Sequence, residues 1–154
     1  MSRKKWKKQA KFFDMTDLQK AQNFLSEKNF TLVVVSSDKG VFTSSDRGVK
    51  PLLYLLENEK GFLDGASVAD KVIGKAAALL MVLGGIKEVH TNVISNPAVE
   101  VFEKHHIPYY YEEKVKRIIN RKGDGLCPME TLCIDVEEPA EAFEKIKEWL
   151  EKHK

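Results

Sequence analysis

Leu18, Ala21, Phe24 and Leu25 recur at helical spacing, and this predicts a helix from Thr16 as N-cap to about Asn29. Thr31 to Ser36 is an apolar, β-branched run that reads as a buried strand. Asp38-Lys39-Gly40 supplies turn chemistry, and Gly40 to Ser44 returns as the second arm of a hairpin. Pro51 opens a short helix carrying Leu52, Leu53, Leu55 and Leu56. From Val68 to Leu83 apolar residues surround the helical wheel, which predicts a central buried helix with Ser67 as N-cap and Gly84-Gly85 as its stop. Glu88 to Ile94 reads as a third strand, Pro97 to His105 as a helix, and Pro108 to Tyr111 as a short fourth strand. A helix over Glu113 to Ile119 and a glycine-containing loop over Asn120 to Pro128 follow. Thr131 to Val136 alternates like a strand, with a helical turn after Pro128 as the alternative. Pro139 to Lys152 closes the chain as an amphipathic helix.

Strands alternating with helices after one hairpin argue for an α/β fold, a mixed sheet between helical layers. Ligands in such folds collect beyond the carboxyl ends of strands, near helix N-termini. Three places therefore draw attention: Ser67, the turn Ser95-Asn96-Pro97, and the loop leading to Cys127. With 154 residues, 43% of them hydrophobic, the chain suits one domain with its own core. Two cysteines give neither a disulfide framework nor a four-sulfur zinc site. The stretch Val72 to Ile86 is too short and too interrupted to span a bilayer, and no signal-peptide segment follows the basic start. The expectation is a cytoplasmic protein with no membrane partner.

Charge divides the chain. Residues 1–13 hold six basic residues and no acid, so this arm is +6 on a body of −4. A flexible basic arm on an acidic domain over 14–154 is expected, with nucleic acid as the partner the arm suggests. Lysine outnumbers arginine 21 to 4, and 31% of residues are charged, a thermophile-like balance.

Lys71 and Lys75 fall four apart near the start of the expected central helix, where cations oppose the helix dipole at a cost of about 0.3–1 kcal/mol. An anion bound in front of the helix converts that cost into attraction, which points to a phosphate site; lysines reaching to solvent are the structural alternative. Asp70 completes Ser67-x-x-Asp70, a capping box, or serves as an acid or base in a pocket. Cys127 follows Asn120-Arg121-Lys122-Gly123-Asp124-Gly125, whose cations favour a thiolate; it reads as a nucleophile or as a small buried hydrophobe. His90, His105, His106 and His153 lack metal-ligand spacing, and no phosphate-loop, dinucleotide or nucleophile-elbow motif occurs.

The stretch GASVADKVIGKAAALLMVLGGIKEVHTNVISNPAVEVFEKHHI, followed by IINRKGDGLCPME, closely resembles the prokaryotic family catalogued as domain of unknown function 1893. That resemblance implies a cytidine-deaminase-like fold, a three-layer α/β/α sandwich around a mixed sheet of about five strands. Zinc deaminases carry H/C-x-E on one helix and P-C-x-x-C on the next. If the helices correspond, Val68-Ala69-Asp70 and Pro97-Ala98-Val99-Glu100-Val101 stand in those places, so the ligand positions hold Val68, Ala98 and Val101. Deaminase chemistry is then not inherited, and no metal or other cofactor is required. A pocket at the helix N-termini is implied. Its expected binding residues are Ser67, Lys71, Lys75, Asn92, Ser95, Asn96, Asn120, Arg121 and Cys127, with Asp70, Lys71 and Cys127 as catalytic candidates.

The leading expectation is a metal-free, deaminase-like domain that binds a nucleotide or other phosphorylated small molecule, with a homo-oligomer left open. The alternatives are a thiol-dependent enzyme using Cys127 and a non-enzymatic interaction module working through the basic arm.

Overall fold

Thr16 starts the first helix by reciprocal capping. Its hydroxyl accepts from the Gln19 backbone N–H at 3.1 Å, and the Gln19 side chain accepts from the Thr16 N–H at 2.9 Å. This satisfies two of the donors a helix start leaves open. In the computed structural model, which describes residues 14–120 and 122–154, the elements run α1 (Asp17–Glu27), β1 (Leu32–Ser36), β2 (Gly40–Ser44), α2 (Lys50–Asn58), β3 (Ser67–Ile73) and α3 (Lys75–Gly84). Then come β4 (Glu88–Ser95), α4 (Asn96–Lys104), β5 (Tyr109–Val115), α5 (Pro128–Leu132) and α6 (Pro139–Lys152).

The five strands form one mixed sheet in the order β2-β1-β3-β4-β5. β1 runs antiparallel to both β2 and β3, whereas β3, β4 and β5 are parallel. Side-chain alternation sends Val33, Val35 and Ala69 into one cluster with Ala21 and Leu25 of α1. Leu32, Val34 and Val68 point the other way, into the larger core with Leu79, Leu80, Met81, Phe102 and Ile146. Helix α3 is the apolar centre of that second cluster, buried from Lys75 to Met81. Among the described residues no helix is long and apolar enough to cross a membrane.

Three sequence expectations are corrected here. The segment after Ser67 is strand β3, and the central helix begins only at Lys75. Ser67 therefore caps nothing; it is buried at the strand's start, and its hydroxyl donates to Glu88 at 2.7 Å. Asp70 belongs to the strand, opposite Leu32 and Thr91, so the capping box is a coincidence of spacing. A strand buried between two neighbours carries apolar residues on both faces, and its sequence merges into the periodicity of the helix behind it. Glu113 to Val115 extends β5 instead of starting a helix, because pairing with β4 continues to Ser95↔Val115. After Pro128 the chain takes the helical turn rather than the strand: it forms α5. The basic arm over 1–13 and Arg121 lie outside the described residues.

Gly84 shows how tightly α3 is seated. A Cβ there would lie 2.6 Å from Leu63 Cδ1 and 2.7 Å from Leu63 Cβ. Helix propensity alone would make Gly84→Ala stabilising by about 1 kcal/mol. Overpacking against an atom fixed to the Leu63 backbone costs roughly 1–3 kcal/mol and outweighs that gain. Urea denaturation of Gly84→Ala should therefore show a net loss of stability; a gain would contradict this packing.

Candidate functional site

Parallel pairing of β3 with β4 brings the starts of α3 and α4 side by side, at the carboxyl ends of their strands. Gly74 precedes α3 in extended conformation, and Ser95 caps α4 by accepting from the Ala98 N–H at 3.2 Å. The space between the two helix starts is filled from within. Glu130, on α5, is 5% exposed and accepts through Oε1 from the Lys75 backbone N–H at 3.1 Å and from the Ser95 hydroxyl at 3.5 Å. The carboxylate meets the positive end of α3, a favourable placement for negative charge. It also explains Gly74, because a Cβ there would lie 2.4 Å from Glu130 Oε1. The Glu130 turn is anchored in turn: its own N–H donates to the Cys127 carbonyl at 2.9 Å, and the Cys127 N–H donates to the Ile118 carbonyl at 3.0 Å.

In front of Glu130 lies a cavity of about 480 Å³. Asp70, Lys71 and Val72 of β3 form one wall, residues 45–49 a second, and Ile118 with Cys127, Met129 and Glu130 a third. Arg47 and Lys71 are exposed at its mouth, while Asp70 keeps only partial contact with solvent. Burial pushes the Asp70 carboxyl up to about 7; hydrogen bonds from the backbone of Val72 and Lys71 oppose that rise without cancelling it. At neutral pH Asp70 is thus divided between a hydrogen-bond donor and an acceptor. Cys127 lines the same cavity, but among the described residues no histidine does. Cys133 is buried outside it, with its thiol pushed up to about 11, chiefly by burial.

This geometry divides the expected site residues. Asp70, Lys71 and Cys127 come together around the cavity. Lys75 does not join them. Its backbone holds Glu130, while its ammonium turns away to the Ile134 carbonyl at 3.0 Å and to Glu137 at 3.5 Å. The charge of Lys75, aided by Lys104, lowers the carboxyl of Glu137 below the usual carboxylate range. Ser67 sits at the far end of β3, and Asn92 is exposed on β4 away from the cavity. Ser95 serves as cap and as a donor to Glu130, and Asn96 does not reach the cavity wall. Asn120 is spent on its own turn, bonding Asp124 at 3.0 Å and the Gly123 N–H at 2.9 Å. Among the described residues no group of three His, Cys, Asp or Glu side chains is placed to hold a metal ion.

Residues 20–150 match the family described as TM1506, domain of unknown function (DUF1893). The chain belongs to the DUF1893 family. A solved structure of a DUF1893 family protein, TM1506 from Thermotoga maritima, is 29% identical and superposes with a TM-score of 0.78, covering 85% of this chain and 88% of its own. A comparison with curated proteins gives no match.

Within this DUF1893 protein two site residues escape sequence reasoning. Glu130 lies in the GLCPME motif, but only the fold shows that its side chain reaches the start of a helix more than fifty residues earlier. Arg47 follows the first hairpin in an ordinary polar turn, and nothing local marks it. The correspondence of Val68-Ala69-Asp70 with a zinc-binding helix start is also corrected, since those residues are strand and the helix behind them starts with Gly74, Lys75 and Ala76.

The position of Asp70 has a measurable cost. Its folded pKa of about 7 exceeds its ordinary value of 3.8, so between these pH values the folded state holds more protons than the unfolded one. Stability therefore falls as pH rises across this window and levels off above about 7. Asp70→Asn keeps an acceptor for the Val72 N–H and removes the charge. It should add on the order of 1–3 kcal/mol at pH 8, discounted for solvent at the cavity mouth, with the gain shrinking towards pH 4. Urea denaturation at several pH values checks this, and a gain that does not vary with pH would refute it.

Proposed function

We propose that this DUF1893 protein binds a nucleotide or another phosphorylated small molecule in the cavity in front of Glu130. The carrying observation is that one cavity joins a cationic mouth, Arg47 and Lys71, to an interior wall with the carboxyl groups of Asp70 and Glu130. An anionic group belongs at the mouth, where guanidinium and ammonium offer charge-assisted hydrogen bonds. It does not belong at the start of α3. A phosphate there would have to displace a buried carboxylate already bonded to the same N–H. The anion site expected from Lys71 and Lys75 thus moves to Lys71 and Arg47.

A cavity of this size is in the ordinary range for small-molecule sites. The strand order, antiparallel at β2-β1 and parallel through β3-β4-β5, with α1 on one face and α3 on the other, supports a three-layer, deaminase-like α/β/α reading. In that reading the side chain between the two helix starts is Glu130, an acceptor that stays with the chain. The role is binding. A thiol reaction at Cys127 would need its base from the ligand or a bound water, since no histidine is among the cavity's described residues.

Thermal shift and calorimetry with nucleoside monophosphates and sugar phosphates test the proposal. Each of Arg47→Glu and Lys71→Glu should weaken the phosphorylated ligand that binds by about tenfold or more, the scale of one charge-assisted bond. Failure of every phosphorylated ligand to stabilise the protein, or equal binding by both variants, would overturn it.

A further inference from the structure

We propose that binding of an anion in this cavity is coupled to protonation of Asp70: one proton enters with the anion, and the carboxyl hydroxyl so formed donates to it. This rests on the binding reading above and adds to it a positioning residue and a proton linkage. The pleat of β3 sends Asp70 to the same side of the sheet as Val68 and as its cross-strand partner Leu32, both of which belong to the larger core. At that level the core gives way to the cavity, which Leu32 and Asp70 line together. Arg47 and Lys71 line the same space, yet among the described residues none of these three charged side chains forms an ion pair. The two cations are therefore free to meet an external anion, and neither of them neutralises the carboxylate.

A carboxylate and a bound anion in one cavity of about 480 Å³ repel each other, and a neighbouring negative charge favours the protonated acid. The surrounding groups do not relieve that conflict. Leu32 of β1 and Thr91 of β4, the residues paired with Asp70, carry no charge. Of the other titratable groups on the lining, Asp46 is exposed, Cys127 is a thiol on the third wall, and Glu130 is committed to the Lys75 N–H. Burial already holds the Asp70 carboxyl at about 7, so the remaining step to the neutral acid is small near neutral pH. The Val72 N–H occupies Oδ1 at 3.3 Å, which leaves Oδ2 to take the proton from solvent and present it to a phosphate oxygen. An O–H donor facing a charged oxygen makes one of the stronger hydrogen bonds. Loss of that proton turns the donor into a repelling charge.

The test uses the full chain and calorimetry with the four ribonucleoside 5′-monophosphates and ribose 5-phosphate, each titrated at pH 7.5 in two buffers of different ionisation enthalpy. A phosphate monoester has its second pKa at about 6, so at this pH it arrives deprotonated with almost no proton of its own to exchange. Wild type should take up about half a proton or more per phosphate bound, and its affinity should fall about fivefold to tenfold between pH 7 and 8.5. Asp70→Asn keeps the acceptor for Val72 and carries no titrating proton. It should bind with no uptake and with nearly constant affinity over that range, its fold verified by circular dichroism. The wild-type proton count needs no variant, so a misfolded Asp70→Asn leaves the test standing. Binding of a phosphorylated probe by wild type without proton uptake overturns the coupling and leaves the binding reading intact. Uptake of the same size in Asp70→Asn assigns the proton to another group and overturns the coupling equally. Binding of no phosphorylated probe removes both.

Discussion

One hydrogen bond organises this molecule's candidate site: the backbone N–H of Lys75 donating to the carboxylate of Glu130 across 55 positions of chain. A helix start buried against a neighbouring helix start leaves polar donors that need a partner. Here the partner is a side chain from the C-terminal quarter of the sequence. Accepting it requires a glycine at 74, a serine at 95 and a turn anchored through Cys127 to Ile118. The same contact closes the inner end of the cavity. Fold and site are therefore one construction, and a change at Gly74 or Ser95 acts on both.

That contact also revises the meaning of the lysines. Lys71 and Lys75 look like a pair set four apart on a helix, but one lies on a strand and the other begins the helix. The first is among the residues that line the cavity, and the second neutralises Glu137 while its N–H holds Glu130. The charge placed against the positive end of the helix is a carboxylate belonging to the chain itself. The anion site proposed above therefore lies where Arg47 joins Lys71 on the cavity lining.

Much of the architecture was legible in the sequence because local signals agreed with the fold. The Thr16 N-cap, the first hairpin, Pro51, the Gly84-Gly85 stop and the amphipathic last helix all stand where spacing and turn chemistry place them. Reading fails where tertiary pairing overrides local pattern. Ser67 to Ile73 has a helix-like cap and merges with a helix, yet it is fixed as strand by neighbours on both sides. Glu113 to Val115 is drawn into β5 by β4. The site was half legible for the same reason: Asp70, Lys71 and Cys127 stand out by type, whereas Glu130 and Arg47 acquire their places only through long-range folding. The family resemblance pointed to the helix starts but not to Glu130, the residue that fills the space between them.

The most direct measurement is a crystal structure of the protein with a bound nucleoside monophosphate or sugar phosphate. The account predicts the phosphate against Arg47 and Lys71, with Glu130 still holding the Lys75 N–H. Phosphate density at the Lys75 N–H, with Glu130 swung out of its place between α3 and α4, would contradict it.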